Sequence, residues 1–238
     1  MTRSLKLLFP GLLLALGISA GVPAASGATD EPSAQSLLFD ANYLLPLTAP
    51  SRLVYAYSHK SEDPERFGKG FDDEVALKLS ASTAGGGEKD VLLDMFTGER
   101  ERILGPLTRV SGNPVVMMFL ERDVTQMNMH VGGQTVYFRN VIRLAFREHA
   151  KLEPATFSWN GKQVSGTKIV IQPFLGDPNG DRMALFRTKT YEFIVSDAVP
   201  GGIYEIRSTV GDDRPDAKAP VLDTTLTLKG LANDPSKN

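Results

Sequence analysis

Two sets of side chains in the middle of this chain have the types and spacing to do chemistry. Between Thr135 and His149, Arg139, Arg143 and Arg147 recur every four residues, and Lys151 continues the line. On a helix that spacing makes one cationic stripe. Guanidinium forks match phosphate oxygens, so the stripe reads as a contact for headgroup phosphates or an acidic partner. It reads equally as a solvated helix face. The second set is apolar: Val116, Phe119, Leu120 and Val124 on one segment, and Phe138, Val141 and Ala145 on the next. With Tyr55, Tyr57 and Trp159 from flanking segments, these residues would line a lipid-sized cavity or fill an ordinary core.

Two smaller groupings invite a metal. Met117, Met118, Met127, Met129 and His130 offer thioethers and an imidazole, ligands that suit copper(I). Methionine is also a common core filler, and Met117 and Met118 leave a helix in different directions. Asp177-Pro178-Asn179-Gly180-Asp181 resembles part of a calcium loop. It lacks the downstream glutamate, and its residues are those a tight turn needs. No metal or cofactor site is therefore assigned. Catalytic motifs are absent: no Gly-x-Ser-x-Gly elbow, no His-Glu-x-x-His, and no cysteine nucleophile, since the chain has 0 cysteines.

The elements that must position these residues follow from local pattern. Gly112-Asn113-Pro114 opens a helix, with asparagine able to cap a free N–H and proline tolerated at the first position. Val116, Leu120, Val124 and Met127 carry it forward at helical spacing until Gly132-Gly133. A second helix runs from Thr135 to His149, its apolar face assigned to Tyr137, Phe138, Val141, Leu144 and Ala145. Around this insert (113–151) the chain reads as strands. Arg52–His59, Gly70–Ser82, Val91–Phe96 and Glu99–Leu104 precede it. A hairpin about Asn160-Gly161, then Lys168–Phe174, Phe186–Val195, Ile203–Val210 and Val221–Leu228 follow it.

Arg3, Lys6, an apolar run from Leu7 to Ile18 and a small-residue stretch to Ala28 predict a secretory signal peptide over 1–27. Residues 28–50 read as a flexible leader and N-terminal arm, in which Leu37 to Leu47 is a short helix or an extended arm; 51–230 read as one β-rich domain and 231–238 as a disordered tail. No later stretch reaches the length of a transmembrane helix. The expected location is the periplasm or outside the cell. The formal charge of −2 becomes −4 once Arg3 and Lys6 are removed, which argues against nucleic acid as a partner.

These elements predict an α+β fold, mainly antiparallel β. It is a strongly curved sheet or half-barrel of about nine strands, with the two consecutive mid-chain helices on its concave face. Antiparallel strands wrapped about a mid-chain helical segment resemble the lipoprotein-carrier half-barrel superfamily of the LolA type. That resemblance is one of architecture and carries no residue across. It implies an apolar cavity beneath a helical lid. The expected function is a soluble, non-catalytic binding or carrier protein for an apolar or lipid-bearing ligand. The alternative is an interaction protein of the cell envelope with a solid core. The oligomeric state is left open.

Overall fold

The structure, a computed structural model, describes residues 32–83 and 85–233. The expected signal peptide and the end of the expected tail lie outside the described residues. Four strands come first: β1 (Ser51–Ser61), β2 (Phe71–Ala81), β3 (Lys89–Met95) and β4 (Arg102–Val110). The one-turn helix α1 (Pro64–Phe67) links β1 to β2. The helical pair is α2 (Val115–Val131) and α3 (Thr135–Glu148). Five strands complete the chain: β5 (Lys151–Trp159), β6 (Lys162–Ile171), β7 (Thr190–Val195), β8 (Ile203–Val210) and β9 (Leu222–Asn233).

All nine strands form one antiparallel sheet in the order β4-β3-β2-β1-β9-β8-β7-β6-β5. It is an open half-barrel built from two meanders, closed on each other where β9 returns to pair with β1. The order explains the helices. β4 and β5 are the two edges, so the chain must cross the whole sheet between Val110 and Lys151. Nine strands span roughly 38 Å when flat, at about 4.8 Å per spacing. At about 1.5 Å per residue, α2 and α3 measure about 25 and 21 Å. Helices of these lengths cover the sheet, and one face of each finds apolar side chains to bury against.

That covered face is read from β1, where Leu53, Tyr55, Tyr57 and His59 alternate inward and are buried. Tyr55 pairs with Val75 of β2, and Leu53 with Leu77. Asn113 ties this face to the start of α2. Its Oδ1 accepts from Val115 N (3.1 Å), while its Nδ2 donates to Tyr55 OH (2.9 Å) and to Gly201 O (2.7 Å). The expected hydrogen bond from Asn113 to a free N–H at the start of α2 is therefore present, with Pro114 as the N-cap residue, and the same side chain also serves β1 and the turn between β7 and β8. That turn needs glycine. Gly201 and Gly202 have φ of +74° and +71°, and a Cβ on Gly202 would lie 2.1 Å from the Tyr43 ring.

Four boundaries differ from the sequence reading. The stretch 32–50 is no free arm. It turns through a short helix (Ser36–Asp40) and buries Ala34, Leu38 and Leu44 in the common core. β4 starts later and runs longer than Glu99–Leu104, because a 3-10 turn at Gly98–Arg100 precedes it. Phe186–Thr188 belongs to a 3-10 segment (Gly180–Thr188) that kinks at Ala184 (φ +48°) and buries Met183 and Phe186. β9 runs past residue 230, because Leu231 and Ala232 pair with Leu53 and Arg52. β5 holds Pro154 because it is an edge strand, where a missing N–H costs no ladder bond.

Candidate functional site

The helical corner shapes the site. Gly132 N donates to Asn128 O (2.9 Å), and Asn128 Nδ2 donates to Gly133 O (2.8 Å), so α3 turns back beside α2. Between the two helices and the N-terminal turn lies a cleft of about 240 Å³. Leu120 and Val124 of α2 and Ile142 and Phe146 of α3 form its floor, and Phe39 and Gln35 form the facing wall. Phe39 meets Phe146 edge to face, ring centroids 5.3 Å apart. The wall is thus docked by aromatic packing on α3.

The mouth is polar. Arg139 grips Glu121 with Nε to Oε1 (2.8 Å) and Nη2 to Oε2 (2.7 Å), and its Nη1 donates to Thr135 Oγ1 (3.1 Å). Such a bidentate pair is geometrically specific. The Glu121 contact holds the Arg139 guanidinium pKa above its ordinary value. Arg143 lies one turn along and donates only to the neutral amide of Asn140 (3.0 Å). Among the described residues no carboxylate pairs with Arg143. Glu121 and Arg139 cancel, and Arg143 leaves one positive charge at the mouth.

A second polar grouping lies beneath α2 on the covered face of the sheet. Lys189 Nζ donates to Asp123 Oδ1 (2.8 Å), and Tyr191 OH donates to Asp123 Oδ2. The Lys189 and Asp123 side chains are only 3% and 8% exposed. Burial, then the Asp123 charge, pushes the Tyr191 hydroxyl pKa well up. Nearby, His59 Nδ1 and Thr224 Oγ1 lie 2.8 Å apart. Arg122 Nε donates to Tyr57 OH (3.2 Å), with its guanidinium 4.9 Å from the Phe96 ring centroid. Burial first, then Arg122 and Lys189, lower the pKa of His59. The group ties α2 to β1, β7 and β9. Among the described residues, none of its members has a buried side-chain nitrogen or oxygen without a partner, as a structural network requires.

The residues singled out from sequence are only partly brought together. Leu120, Val124, Arg139 and Arg143 meet at the cleft. Tyr55, Tyr57, Val116, Phe119 and Phe138 are buried between helices and sheet, and Val141 is half-buried beside them. Arg147 points elsewhere and pairs with Glu148 (2.7 Å). Trp159 is not brought to the site. Its pairing with Lys162, seven residues and so an odd step from inward-facing Ile169, puts it on the opposite face of the sheet, where it packs on Tyr204. The face of α3 is also turned from the expected one. Phe138, Ile142, Ala145 and Phe146 are buried, while Leu144 is 40% exposed.

Sequence reasoning missed Ile142 and Phe146, although their i, i+4 spacing was visible. It also missed Asp123, whose place between Leu120 and Met127 put a carboxylate on the buried stripe. The methionines do not converge: Met127 is in the core, Met117 is at the cleft, and Met118 and Met129 lie in a separate groove with Met95. His130 is occupied with the rings of Phe67 and Phe186. Asp177 closes its own turn, accepting from Asn179 N (2.7 Å) and from Tyr137 OH.

No protein-family model matches the chain, and no curated protein matches it. Solved structures similar to it include these two. One is the Mycobacterium tuberculosis lipoprotein LppX, 11% identical, with a TM-score of 0.31 over 77% of this chain and 87% of that one. The other is a beta-barrel-like protein of DUF1849 from Brucella abortus, 10% identical, with a TM-score of 0.24 over 77% and 97%.

Proposed function

We propose that this protein is a non-catalytic binding or carrier protein for an apolar or lipid-bearing ligand, working outside the cytoplasm after export. The observation that carries the reading is the cleft: an apolar floor from two helices, an aromatic wall from the N-terminal turn, and a charged mouth. Ligand sites combine mainly apolar linings with a few placed polar groups in this way. Its volume, about 240 Å³, falls just below the roughly 300–1,000 Å³ of ordinary small-molecule pockets. One chain of a lipid fits that space, and a whole diacyl lipid does not. Tyr55, Phe119 and Phe138, expected to line a cavity between helices and sheet, are buried in the common core, and the ligand is assigned to the cleft instead.

The test is native mass spectrometry of the protein purified gently from its own envelope, followed by organic extraction. Bound mass that leaves as a lipid or fatty acid supports the reading, provided Leu120→Trp, which fills the cleft, abolishes it. A clean unliganded mass with no uptake of a fluorescent fatty-acid probe overturns it. A second reading, an envelope interaction protein, is favoured by β4. This edge strand leaves Ile103 60%, Leu104 43% and Leu107 40% exposed, and an exposed apolar edge invites strand addition. Under it, Ile103→Lys abolishes co-purification of a partner, and Leu120→Trp does not.

A further inference from the structure

Resting on the carrier reading, we infer that the cleft takes a single-chain amphiphile with an anionic head, the chain between Leu120, Val124, Ile142 and Phe146 and the head on Arg143. Three observations meet here. The cleft has an apolar interior. The one carboxylate at its mouth, Glu121, is held in a fork by Arg139. Arg143, four residues further along α3 and lining the same cleft, donates among the described residues to a neutral amide alone. A cationic head would therefore meet an unbalanced positive charge. An anionic head would meet a guanidinium whose remaining N–H groups are free to fork onto two oxygens.

The volume limits the chain. A methylene takes up roughly the 30 Å³ of a water molecule, so about eight methylenes fill 240 Å³. Each methylene entering the cleft tightens binding roughly fourfold. Affinity should thus climb with chain length and level off near ten carbons.

Isothermal titration of the mature protein compares decanoate, decyl phosphate, decanol and decyltrimethylammonium, with octanoate and dodecanoate as length controls. The expected result is that both anions bind about tenfold tighter than decanol and that the cation binds worst. The two anions separate a carboxylate from a phosphate source of the same chemistry. Arg143→Gln should erase the anion preference while leaving the melting temperature unchanged. Decanol bound as tightly as decanoate overturns this inference and leaves the carrier reading standing. An anion preference that survives Arg143→Gln removes Arg143 as the head contact. Affinity still rising fourfold per methylene from decanoate to dodecanoate removes the cleft as the seat of the chain. No binding of any probe overturns both readings together.

Discussion

Replacing Asp123 with alanine removes the one carboxylate that Lys189 and Tyr191 share beneath α2. Among the described residues Lys189 has no other carboxylate partner, and it is 3% exposed, so its ammonium stays buried without a counter-charge. Removing one member of a buried ion pair costs about 3–5 kcal/mol. For a chain of this size about 1 kcal/mol shifts the melting midpoint by roughly 2–4 °C. The expected fall is therefore roughly 6–20 °C, read by far-UV circular dichroism near neutral pH. The companion variant Asp123→Leu with Lys189→Met and Tyr191→Phe takes out the charges and the hydroxyl together. Apolar replacement of whole buried ionic groups is often neutral or stabilising. This triple variant should melt close to the parent and well above Asp123→Ala. If Asp123→Ala melts within about 2 °C of the parent, the pair is not the buried tether described here.

Asn113→Ala should cost about 2–4 kcal/mol, since it removes a helix cap and leaves Tyr55 OH and Gly201 O without their donor; urea unfolding with an unchanged m-value checks it. The folded pKa of His59 lies below that of a free imidazole, so as pH falls through about 6.5 the unfolded chain gains a proton that the folded chain resists. Stability should be level above that pH and decline below it until the folded value is reached, and His59→Gln should flatten the decline. An identical slope in that variant refutes the assignment. Gly202→Val sets a side chain against Tyr43 at positive φ and should lower the melting midpoint by several degrees or prevent folding. Gly161→Ala meets open space, so it should cost only the backbone strain of about 1 kcal/mol.

The fold was legible where the deciding forces are local. Helical spacing from Val116 to Met127, the cap at Asn113, the Gly132-Gly133 stop and the Asn160-Gly161 hairpin all depend on residues within a few positions of one another. Alternation then marked the strands, and a run of hairpins implied an antiparallel sheet. Two helices with one apolar face each had to be buried against it. Local pattern failed at Phe186–Thr188, where alternation mimics a strand but a 3-10 turn delivers Lys189 to Asp123, 66 residues away. It left 32–50 open between a short helix and an arm, because the core that accepts Leu38 and Leu44 exists only in the fold.

The candidate site was less legible, for the same reason. The arginines were visible as a stripe, but sequence treated them alike. Only tertiary structure separates them: Arg139 neutralised by Glu121 from the other helix, Arg147 turned to Glu148, and Arg143 left at the mouth of a cleft. Likewise, the period of α3 limits which residues share a face, but its rotation about its own axis is set by what packs on it. Phe39, more than a hundred residues earlier, meets Phe146 and draws Ile142 and Phe146 toward the cleft. Trp159 shows the converse, since strand parity fixes its face only once the pairing partner is known. The sequence by itself determined the element types and the exposed cation repeat, because these are properties of neighbouring residues. The tertiary structure decided which apolar residues line a space, which charges are cancelled and which face is covered, because each depends on residues far apart in the chain.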